Sequence, residues 1–95
     1  MSLVKIGGVS YGLEEVEGLA KEHQVLGHIL YDDLKIKLDA SMPQDRKEET
    51  LIHEITHGIF YEAGYEEQDE DMINRVGKVL YQVIKDNPNL LGVIK

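Results

Sequence analysis

The chain has no cysteine, no tryptophan, two prolines and a single phenylalanine. Without cysteine there is no disulfide to staple a small fold and no thiolate for a metal, so any ion must be held by His, Asp or Glu. Basic residues are also scarce: 10 Lys and Arg stand against 18 Asp and Glu, a net charge of −8. Such a surface repels phosphate backbones and anionic head groups, which argues against nucleic acid as a direct ligand. No apolar run is long enough to cross a bilayer, and Met1 to Gly7 lacks the apolar stretch of a secretion signal. No membrane association is expected, and the cytoplasm is the expected compartment. What is present, 95 residues of which 42% are hydrophobic, suffices for one core and hence one domain spanning residues 1–95.

Leu3 to Ile6 and Val9 to Tyr11 are β-prone runs separated by Gly7-Gly8, a pair suited to a tight hairpin. The stretch Leu13 to Gln24, interrupted by Gly18, reads as a short helix or a surface loop. Val25 to Leu30 and Leu34 to Asp39 read as strands, the second alternating Leu34, Ile36 and Leu38 with polar residues, and Asp32-Asp33 supplies the turn between them. Ser41, Pro43 and Gln44 form a helix-start pattern in which Ser41 and Gln44 cap reciprocally. That helix is expected to end at Ala63, with Gly64 as its left-handed stop. A second helix follows, capped by Asp69 and ended by Asn87-Pro88.

On the first of these helices stands His53-Glu54-Ile55-Thr56-His57. Two imidazoles four residues apart project from one helix face and can grip one ion. Glu54 lies about 100° further round, beside such an ion and not on it, where it can take a proton from bound water. The alternative is a pair of ordinary helix histidines. Against it, Leu51, Ile52, Ile55, Ile59 and Ala63 lie about 160° to 280° from His53, so the histidines face away from the main apolar stripe. The second helix is the element available to meet them.

A catalytic zinc takes three protein ligands and keeps one position open. The metzincin continuation would need Gly and His where Phe60 and Ala63 stand, so the third donor is sought in Glu66-Glu67-Gln68-Asp69-Glu70-Asp71. Most of that run is expected to be a solvated charge cluster. If the second helix buries Met72, Ile73, Val76, Val79, Leu80, Val83 and Ile84, Glu70 borders the buried arc while Asp71 and Glu67 turn towards solvent. Glu70 is therefore the expected third ligand, with Asn74 one turn on to orient it and Gly77 permitting close helix approach. Tyr61 falls on the zinc face as an oxyanion donor or a packing aromatic. His23 and His28 lack spacing partners and read as ordinary surface or strand residues.

These blocks, Thr50 to Ile59, then Glu70 to Gly77 and Leu80 to Asn87, resemble the small phage and prophage zincins related to the ImmA/IrrE metallopeptidases. The likeness covers roughly the C-terminal half, and Ile73, Val76 and Gly77 stand where the family has Ala, Phe and Ala. It implies that Glu70 is the third zinc ligand and that the activity is peptide-bond hydrolysis. The resulting expectation is an α+β fold, a small antiparallel sheet of about three strands packed on two C-terminal helices in a minimal zincin-like domain. Its expected cofactor is Zn2+, held by His53, His57 and Glu70, with Glu54 as general base and a peptide or protein as substrate. Two other readings compete: a catalytically silent, zinc-stabilised protein-binding module, and an acidic mimic of DNA. The mimic is disfavoured because the acids concentrate between Glu62 and Asp71 instead of lining one long face.

Overall fold

The computed structural model describes residues 2–93. Its order is β1 (Ser2–Ile6), β2 (Val9–Val16), α1 (Leu19–His23), β3 (Gly27–Leu30), β4 (Lys35–Asp39), α2 (Gln44–Glu62) and α3 (Glu70–Asp86), followed by a 3-10 turn at Leu90–Val93. The fold is α+β, but the sheet has four strands in the order β1-β2-β4-β3 and is mixed. The expectation of about three antiparallel strands is corrected on both counts. β2 runs parallel to β4, pairing Gly12 with Lys35 and Val16 with Asp39. That pairing needs a long crossover, whose distant partners leave no mark on local sequence.

The β1–β2 hairpin turns on Gly7 and Gly8, whose φ values of 60° and 83° are those a two-residue primed turn requires. Leu13 to Val16, expected as helix or loop, instead continues β2. Its acids do not oppose this because Glu14 pairs with Lys35 at 3.2 Å and Glu15 with Lys47 at 2.6 Å. Leu34 is not in a strand. It closes the β3–β4 turn at φ 54° and is exposed, so the alternation starts at Lys35 with Ile36 and Leu38 inward.

α2 lies across the sheet and closes a core of Ile6, Tyr11, Ile29, Ile36, Leu38 and Met42. Gly58 brings it close, since a Cβ there would sit 2.7 Å from Ile6 Cδ1 and 3.0 Å from Ile29 Cδ1. The expected Ser41–Gln44 capping box is absent. The Ser41 amide and hydroxyl both donate to Oδ1 of the buried Asp39, a stronger charged acceptor, and Pro43 becomes the N-cap with no side-chain bond. At the other end Gly64, at φ 103°, stops the helix as expected.

α3 starts on Asp69, whose carboxylate accepts from the Asp71 amide at 2.9 Å. It runs antiparallel to α2: Glu70 meets His53 and His57, while Tyr81 and Lys85 reach back to Glu48. Of α3 only Ile73 and Gly77 are buried, whereas Met72, Val76, Val79 and Ile84 are exposed. This overturns the expected buried arc. A Cβ at Gly77 would lie 3.2 Å from Thr56 Oγ1 and 3.7 Å from His53 Cα. The helix therefore rests on its Glu70, Ile73, Gly77 and Tyr81 row, about 90° round from the richer apolar stripe. No described helix is long and apolar enough to cross a membrane.

Candidate metal centre

His53, His57 and Glu70 converge between the two helices. His53 Nε2 is 3.1 Å from Glu70 Oε1 and His57 Nε2 is 3.3 Å from Glu70 Oε2. One ligand atom from each residue lies within 4.8 Å of the others, and among the described residues this is the group of three or more His or acidic side chains that could hold an ion. Of the rival acids, Asp71 pairs with Arg75 at 3.0 Å, and neither it nor Glu67 joins this group.

The proton inventory sharpens the geometry. Gln68 Nε2 donates to the His57 carbonyl at 3.2 Å and to the Tyr31 hydroxyl at 3.3 Å. The carbonyl can only accept, which orients the amide, so Gln68 Oε1 faces His57 Nδ1 and that nitrogen must be the donor. In a neutral imidazole the Nε2 lone pair then points at the Glu70 carboxylate. Two acceptors 3.3 Å apart repel unless a cation, proton or metal, lies between them. Donors bound tetrahedrally to one zinc at about 2.1 Å are about 3.4 Å from each other; each His–Glu70 contact is near that spacing, and the three ligand atoms as a set lie within 4.8 Å. The donor set fits that ion, with two imidazole nitrogens and one carboxylate and no thiolate to be supplied.

Glu54 sits beside this group but faces the sheet and is 8% exposed. Its approach depends on Gly27, where a Cβ would lie 3.3 Å from Glu54 Cγ and 2.6 Å from Thr50 Cγ2. Burial pushes its carboxyl above the usual carboxylate range, and His53, His57, His28 and the Ile29 amide pull part of the way back. A base of raised proton affinity is suited to taking a proton from water.

An open cleft of about 760 Å³ runs from these residues along the antiparallel helices to the start of β3. Asn74 lines it, but no hydrogen bond joins Asn74 to a donor among the described residues. The side chain that meets a candidate ligand is Gln68, which also reaches Tyr31. Tyr61 does not line the cleft. Its ring is stacked on Tyr31 at 4.0 Å between centroids, the packing contact that was the other expectation for it. His28, set aside as an ordinary strand residue, lines the cleft wall. Gln68 had one visible signal, as the sole amide in an acidic run two residues before the ligand candidate. Tyr31 and His28 had none, because β3 and the turn after it bring them there from a distant part of the chain. No family model, no curated protein and no solved structure matches this chain.

Proposed function

We propose that this chain is a zinc-dependent peptidase in which His53, His57 and Glu70 hold one zinc ion and Glu54 is the general base. The observation that carries the reading is the meeting of two imidazole nitrogens and one carboxylate at ligand spacing, at the head of an open cleft, with a buried carboxylate alongside. Structural zinc sites are closed by four protein ligands. Three converge among the described residues, which leaves a position for water or substrate. Zinc so bound supplies Lewis acidity towards a peptide carbonyl and lowers the pKa of water.

The residues then divide the work. Gln68 holds the proton on His57 Nδ1 and so keeps Nε2 free. Glu54 accepts a proton from the attacking water on its carboxylate and delivers it to the leaving amine. β3 is an edge of the sheet and Gly27 and His28 line the cleft, so an extended peptide can lie along this edge.

The test begins with metal analysis of purified protein, expecting one zinc per chain that Glu70→Ala loses and Asp71→Ala keeps. A peptide cut by wild type in a screen of unstructured substrates is then offered to Glu54→Gln at equal zinc loading. Loss of cleavage with zinc and fold retained is the expected result. Undiminished cleavage would remove Glu54 from the mechanism, and zinc without any cleavage would favour the binding-module reading.

A further inference from the structure

In a chain of net charge −8 the cleft is locally different. A bound zinc would be neutralised by Glu70 and Glu54. Beyond those, the lining charges are Arg46 and Lys78 against Glu49 alone. Arg46 meets Glu49 only at 3.9 Å with both side chains largely exposed, and no ion pair holds Lys78 among the described residues. The two cations come from opposite walls, Arg46 from the first turn of α2 and Lys78 from the middle of α3. Because the helices are antiparallel, both lie towards the same end of the cleft. Arg46 precedes His53 by seven residues and Lys78 follows Glu70 by eight, which at 1.5 Å per residue puts each about 10–12 Å from the donors. That is the span of about three residues of extended peptide.

We infer that Arg46 and Lys78 form a carboxylate-binding subsite, which makes the preferred ligand an extended peptide carrying a carboxylate about three residues from the bond presented to the metal centre. Naming that bond rests on the peptidase reading, whereas the carboxylate preference rests on Arg46 and Lys78 once an ion balances Glu70 and Glu54. Val25 and Leu26, exposed on the lip before β3, give such a peptide an apolar surface for its remaining side chains. The carboxylate has two sources, an internal Asp or Glu side chain or the free C-terminus.

The experiment measures fluorescence anisotropy of labelled octapeptides with the Glu54→Gln chain, both zinc-loaded and chelated. One peptide carries an internal Glu and an amidated end, one replaces that Glu by Gln, and one keeps Gln but frees the C-terminus. A carboxylate peptide is expected to bind about fivefold more tightly than the amidated Gln peptide, in line with two exposed ion pairs, with the difference fading in high salt. The stronger of the two carboxylate peptides identifies the source. The exposed charge reversals R46E and K78E together should abolish or invert the preference, and Glu49→Gln should increase it. No binding of either carboxylate peptide, no preference, or a preference that survives the double reversal would overturn the inference. Zinc content measured on the same samples judges the peptidase reading separately: the chelated Glu54→Gln chain sets Arg46 and Lys78 against Glu49 and Glu70, so the preference should be smaller there but should still vanish on the double reversal.

Discussion

α2 is held differently on its two sides. Towards the sheet it closes a core of Ile6, Tyr11, Ile29, Ile36, Leu38 and Met42, so apolar area removed from water does the holding. Towards α3 only Ile73 and Gly77 of the partner helix are buried, Leu80, Tyr81 and Val83 are half-buried, and polar ties sit at either end. Glu70 reaches the histidines at one end, and Lys85 and Tyr81 reach Glu48 at the other. Exposed charge contacts contribute little individually. The sheet side is therefore stable regardless of solutes, while the attachment of α3 depends on what lies among His53, His57 and Glu70.

The largest effect should come from cutting into the sheet side. Ile36→Ala, at a fully buried position, is expected to cost about 2–5 kcal/mol in urea unfolding. A much smaller loss would mean that the core is looser than its burial implies. Next comes zinc, which at about a hundred times its dissociation constant should add about 2.7 kcal/mol. Hydrogen exchange should place that gain in α3 and spare β4, and equal protection of both would dissolve the contrast between the two sides. Gln68→Ala should weaken zinc binding by about 10–100-fold through loss of the His57 partner, while Asn74→Ala, which breaks no such bond, should change it far less. Zinc titration against a competing chelator reads both.

The smallest effect is confined to acid. Hydrogen bonds from the Ser41 hydroxyl, then from the Ala20 and Ser41 amides, hold the Asp39 carboxyl below the usual carboxylate range. A lowered native pKa stabilises fully above the unfolded value near pH 4, and that share is lost as pH falls through the native value. Asp39→Asn should therefore flatten the acid limb of stability below about pH 4, with little effect on zinc affinity. A matching loss of zinc would show the two sides to be coupled.

The parts legible in the sequence were those fixed by neighbours along the chain. The Gly7-Gly8 turn, the Asp69 cap, the Gly64 stop and the His53–His57 spacing all depend on residues a few positions apart. The parallel β2–β4 pairing did not announce itself, because Leu13 to Val16 pairs with residues more than twenty positions away. α3 misled for another reason. Its strongest apolar stripe was assumed to be its buried face, but Gly77 against Thr56 fixed the contact and left Met72, Val76 and Val79 exposed. Glu70 nonetheless reaches the histidines, because the same Gly77 row carries it there. Gln68 stands in a run expected to be mostly solvated, although beside its acceptor oxygen its amide offers the N–H donor that a carboxylate lacks.

Every donor, and the Gln68 that orients His57, lies between His53 and Glu70 on one helix–turn–helix, whereas the sheet joins partners as remote as Gly12 and Lys35. Local contacts close early during folding, and remote strand pairing comes late. The donors are thus set by the fast part of folding, but Glu54 is desolvated only when Gly27 and the rest of β3 close behind it. On the proposed function, a newly made chain would gather its candidate ion ligands before Glu54 is buried beside them. Refolding followed by a zinc-sensitive dye and by tyrosine fluorescence should see capture first, and the reverse order would place the histidines under the control of the sheet.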